Sequence, residues 1–90
     1  MSLSRFIAEM RPEIEAEIRR LMLQVDAAAG QPDDGALAEI VHQLKGVAAV
    51  CGLQNLTEQC RRVEWQIHHP EDRHALSAAI EDLRRRVEQL

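Results

Sequence analysis

Aromatic side chains are almost missing from this chain: Phe6 and Trp65 stand alone, and there is no tyrosine. The apolar mass is Leu, Ile, Val, Met and Ala, which suits packed helices better than a β-sandwich. Cysteine is scarce as well. Cys51 and Cys60 are the only two, so there is no disulfide framework, and a reducing, cytoplasmic location is expected. A basic surface is also lacking. The formal net charge is -4, which argues against nucleic acid as a partner, because phosphates want cations. No apolar run is long enough to span a bilayer, and the start lacks the basic-then-apolar pattern of a signal peptide. Direct membrane contact is therefore not expected. Met1-Ser2-Leu3 reads equally well as native sequence or as an expression scar. No phosphate-binding glycine loop, nucleophile–base pair or metal cluster stands out, so an autonomous enzyme is not expected.

Helical period is what the chain does have. Apolar residues recur at steps of three and four, and no segment alternates with period two. The first stripe is Ile7, Met10, Ile14, Ile18, Leu21 and Val25, interrupted by Pro12. Proline fits a first helical turn and disrupts an interior. A short lead-in helix near Ser4–Met10 and a longer one from about Pro12 to Ala28 are predicted, with a single kinked helix as the alternative. The run from Gly30 to Gly35 is the plainest loop. The second stripe is Leu37, Ile40, Val41, Leu44, Val47, Ala48 and Cys51, with Asp33 or Asp34 as N-cap and Gly52 placed as a left-handed C-cap. The third is Leu53, Leu56, Cys60, Val63 and Ile67; the fourth is Leu76, Ile80, Leu83, Val87 and Leu90. Pro70-Glu71-Asp72 reads as the start of the last helix, and Arg84-Arg85-Arg86 as its dipole-matched end. Both cysteines fall on stripes, so buried thiols are expected. One domain over 1–90 follows: all-α, an antiparallel up-down four-helix bundle with a short N-terminal lead-in helix, and monomeric.

The second helix carries the informative residues. Ala38, His42, Lys45, Gly46 and Ala49 lie off its core stripe. Positions three and four apart are neighbours on a helix, so Lys45 and Gly46 both flank His42. The outward strip presents one imidazole and one ammonium on a floor of small side chains. Glycine inside a helix is destabilising by about 1 kcal/mol relative to alanine. A solvated face has no reason to choose it, but a face that another protein's backbone must approach does.

The run His42-Gln43-Leu44-Lys45-Gly46, followed by Gly52, closely resembles the signature of histidine-containing phosphotransfer (HPt) domains. That signature is a His, Lys-Gly three and four residues on, and Gly ten residues on. Leu56, Cys60, Val63 and Glu64 also look like the family's next helix. The resemblance implies a four-helix bundle with a phosphorylatable histidine on an exposed helix face. His42 matches the phosphoryl acceptor, Lys45 the residue that stabilises the phosphate, Gly46 the one that admits the partner, and Gly52 the turn glycine. Ala38 and Ala49 extend the docking strip. A phosphorylated imidazole carries nearly two negative charges, which an adjacent ammonium stabilises. The implied function is a histidine phosphocarrier in a two-component phosphorelay. It exchanges phosphate between His42 and aspartates of response-regulator receiver domains, free-standing or within a hybrid sensor kinase that could itself be membrane-bound. No cofactor is expected on the chain; the receiver brings the Mg²⁺. Val47-Ala48 and Val41 depart from the residues usual in the family, without removing a functional group.

Blander readings weigh against each of these residues. A lone histidine is usually a plain surface residue; the spacing to Lys45, Gly46 and Gly52 is what singles out His42. His68, His69 and His74 crowd one loop, but nothing completes a metal site there. The arginine runs read as solvated faces. The main alternative function is a non-phosphorylated helical interaction module, which explains the bundle and leaves Gly46 without a reason. The dimerisation domain of a histidine kinase fits less well, because Gln43 follows the histidine and no proline comes before Pro70.

Overall fold

A computed structural model describes residues 2–90; Met1 lies outside the described residues. These residues form helices and no strand: α1 (Leu3–Glu9), α2 (Arg11–Ala29), α3 (Gly35–Val50), α4 (Gln54–His68) and α5 (Arg73–Glu88). Met10 alone separates α1 from α2, and Pro12 sits in the first turn of α2, where its missing N–H costs nothing. The Met10 N–H donates to the Phe6 carbonyl at 3.0 Å and the Ile14 N–H to the Met10 carbonyl at 2.9 Å, so helical bonding runs on either side of the break. Helix α1 begins earlier than its apolar pattern implies, because the Ser2 hydroxyl accepts the Arg5 N–H at 3.2 Å and caps it.

The two aspartates before α3 divide the work. Asp33 Oδ1 accepts the Gly35 N–H at 2.9 Å. Asp34 holds the N-cap position without a capping bond, and its carboxylate instead accepts from Arg73 Nη1 at 2.7 Å, joining the start of α3 to the start of α5. At the far end of α3, Gly52 adopts φ +74°. The Leu53 N–H reaches the Ala48 carbonyl at 2.9 Å and the Gly52 N–H the Ala49 carbonyl at 3.1 Å, the paired bonds of a Schellman motif. The start of α5 corrects the sequence reading. Pro70 and Glu71 stay in the turn, and Asp72 is the cap, accepting the Ala75 N–H at 3.0 Å.

Helix α2 packs against α3 and α5, and α4 packs against the same two from the other side. All the stripes meet in one core. Ile18, Leu21 and Val25 of α2 face Leu37, Val41, Leu44 and Ala48 of α3, with Cys60, Val63, Leu76, Ile80 and Leu83 completing it. Met22, Ala28, Thr57 and Gln59 are buried too, outside the predicted stripes. The polar pair is satisfied. Gln59 Nε2 donates to the Ala79 carbonyl at 3.0 Å, and Thr57 Oγ1 donates to the Leu53 carbonyl at 2.9 Å. Arg84 of α5 holds Asp26 of α2 at 2.6 Å. Helix α1 leads end to end into α2 and buries no side chain: Ile7 is half-buried, and Met10 is exposed.

Candidate functional site

His42 stands in the middle of α3, one residue past buried Val41 and two before buried Leu44. That register turns its ring out of the core, and its side chain is 72% exposed. Lys45, one turn on, is half-buried. It does not reach into solvent beside the ring. Its Nζ lies 2.7 Å from Glu64 Oε1 on α4, while Glu64 Oε2 lies 3.8 Å from His42 Nδ1. One carboxylate therefore bridges the ammonium and the imidazole. The Lys45 contact is electrostatic rather than a well-aligned hydrogen bond: Glu64 Oε1 is sheltered from water and has no aligned donor. At 3.8 Å the His42 contact is too long for a hydrogen bond, and it sets a negative charge beside the Nδ1 edge of the exposed ring.

A Cβ built on Gly46 meets nothing within 4 Å. The glycine is thus not required by packing within the domain. Beside it a wholly apolar groove of about 390 Å³ opens between α1 and the second half of α3. Leu3, Phe6, Met10, Val47 and Val50 line it together with Gly46. Ala49 is exposed two turns beyond His42 and one turn beyond Lys45, and Ala38 is half-buried against the edge of the core. Gly52 reverses the chain at the end of this strip.

The cysteines differ from each other. Cys60 is fully buried. Burial, reinforced by the nearby Glu64 charge and partly offset by Lys45, pushes its thiol up to about 12. Cys51, expected to be buried, is only half-buried, because it ends α3 at the rim of the apolar groove. The remaining histidines stay apart from His42. His69 stacks on exposed Trp65 with ring centroids 3.8 Å apart, its Nδ1 2.7 Å from the Trp65 carbonyl oxygen. His68 and His74 are exposed. Among the described residues no group of three or more His, Cys, Asp or Glu side chains is arranged to hold a metal ion. In the arginine runs, Arg61 pairs locally with Glu58 and Arg85 with Glu81 and Asp82, while Arg84 reaches across to Asp26.

Among family models, the one described as the Hpt domain matches residues 2–90. The chain belongs to the Hpt family. Hpt domains are helical bundles that act as phosphocarriers in phosphorelays and interact with receiver domains. No curated protein and no solved structure matches the chain. No described helix of this Hpt domain is long and apolar enough to cross a membrane.

Glu64 is the site residue whose part sequence reasoning did not assign. On α4 it follows buried Val63 and lies one turn beyond Cys60, so periodicity alone places it at the edge of the core face. Only the packing of α4 on α3 brings it to Lys45 and His42.

Proposed function

We propose that this domain carries a phosphoryl group on Nε2 of His42 and exchanges it with aspartates of response-regulator receiver domains. The observation that carries this reading is an exposed imidazole flanked, on one helix face, by a lysine and by a glycine with open space above it. In the accepting direction, the Nε2 lone pair forms a bond to phosphorus. The acyl-phosphate O–P bond breaks, and its electron pair leaves on the receiver's carboxylate. The Nδ1 proton stays on the ring, facing Glu64. The domain supplies the nucleophile, its orientation and one cation. The receiver supplies its aspartate and Mg²⁺, and no cofactor is needed on this chain.

Docking uses Gly46 and Ala49, with Ala38 at the margin, and extends into the apolar groove beside α1. Gly46 lets the receiver's backbone come within reach of His42, and the groove offers exposed apolar surface continuous with it. The scaffold is an antiparallel up-down bundle of α2 to α5 with α1 as a lead-in helix. It works as a cytoplasmic monomer, alone or as part of a hybrid kinase. Incubation with a ³²P-labelled phospho-receiver tests the reading. Transfer of label to the chain in an acid-labile, base-stable form, lost on substitution of His42, is expected. A chain that takes no label, or takes it elsewhere, refutes it.

A further inference from the structure

If His42 is the phosphoryl site, Lys45 is the natural counter-ion of the phosphoryl group. Yet in the resting domain Lys45 is already occupied. Its Nζ sits 2.7 Å from Glu64 Oε1, and both side chains are sheltered, at 26% and 21% exposure. An ion pair in that setting is screened less than one in open water. Glu64 Oε1 also depends on this one cation, since it is out of contact with water and has no aligned hydrogen-bond donor.

We propose that Glu64 sets the phosphoryl-transfer potential of His42 by competing with the phosphoryl group for Lys45. The proposal rests on His42 as the phosphoryl site and adds what fixes its energy. When the Nε2–P bond forms, the dianion draws Lys45 toward it and away from Glu64. The carboxylate is left sheltered without its cation, a penalty borne only by the phosphorylated state. The phosphohistidine is thereby kept easy to discharge, as a carrier that must both load and unload requires. The second contact works differently. Glu64 Oε2 faces Nδ1 at 3.8 Å and orients the ring before and after transfer, so it affects rates in both directions more than their ratio.

The two effects separate in the equilibrium constant. The probe is a receiver domain charged with acetyl phosphate and shown to label the wild-type domain. The ratio of phosphodomain to phosphoreceiver is read at equilibrium for wild type, Glu64→Gln, Lys45→Ala and the double variant. Glu64→Gln keeps the shape of the side chain and removes its charge. It is expected to shift the ratio toward the phosphodomain about three- to tenfold, the range for a partly sheltered ion pair. In the Lys45→Ala background the shift is expected to vanish. Thermal melts accompany each variant, and Glu64→Asp serves as a second probe that keeps the charge and should leave the ratio nearer wild type. Labelled wild type with no shift in Glu64→Gln, a shift toward the receiver, or an equal shift without Lys45 overturns the inference alone. Wild type that accepts no label overturns the reading of His42, and the inference with it.

Discussion

Replacing Gly46 should make the domain more stable and a poorer partner at the same time. Gly46 lies inside α3, four residues before its last residue Val50, and a Cβ there meets nothing within 4 Å. No overpacking cost opposes the change. The full helix-propensity gain of Gly46→Ala, about 1 kcal/mol, should appear in folding stability. For a domain of this size that corresponds to a rise in Tm of about 4–8 °C. Gly46→Gln should gain somewhat less, because its longer side chain loses more rotamer freedom. Function should move the other way. Each added atom occupies the open floor beside His42, so transfer from a phospho-receiver should fall from Gly to Ala to Gln. Labelling by phosphoramidate, a donor small enough to need no floor, should change little. Calorimetric melts of the three forms and transfer rates with the two donors measure both trends. A lowered Tm for Gly46→Ala would refute the stability argument. A Gly46→Gln domain that accepts phosphate from a receiver at the wild-type rate would refute the docking argument.

His42→Ala should abolish phosphoryl acceptance and leave the melt nearly unchanged, since the ring contributes nothing to the core; retained label would move the site to His68, His69 or His74. Lys45→Ala should shorten the phosphohistidine lifetime severalfold, reflecting about 1 kcal/mol of screened attraction, and an unchanged lifetime across a salt series would remove Lys45 from the site. Cys51 should react with iodoacetamide in the native domain while Cys60 does not, and mass spectrometry of the labelled peptides would show the contrast. The raised Cys60 thiol also predicts alkaline sensitivity. Folding binds its proton more tightly, so its contribution is complete below the ordinary thiol value of 9.0 and is lost as pH rises from there through about 12; Cys60→Ala should flatten that part of the stability profile.

Much of this fold is legible because each helix writes its buried face in a 3.6-residue period. Val41, Leu44 and Ala48 announce the inside of α3 and, by exclusion, set His42 outside. Gly52 and Pro12 mark their turns through backbone chemistry that needs no tertiary context. The errors fall where tertiary context decides. Cys51 belongs to the α3 stripe by spacing, but the helix ends there and it is covered only in part. Asp34 takes the cap position the sequence offers, but its carboxylate turns to Arg73, far away in the chain, instead of making a capping bond. Pro70 and Glu71 carry start signals that Asp72 overrides, because its extended backbone lets the carboxylate reach the Ala75 N–H. The site divides along the same line. His42, Lys45 and Gly46 share one helix and can be read from spacing. Glu64 acts across a helix–helix contact, and spacing along the chain carries no record of which side chain it meets.

Helix α1 lends one wall to the groove beside Gly46 but places none of its side chains in the core. If receivers dock in this groove, partner choice and foldability are written in different residues. Mutation of Leu3 or Phe6 can drift or be selected without endangering the bundle, whereas a change at Val41 or Leu44 cannot. A chain built this way can acquire a new partner in small, tolerated steps, and two copies of the same scaffold can diverge into insulated signalling channels while keeping one phosphoryl chemistry between them.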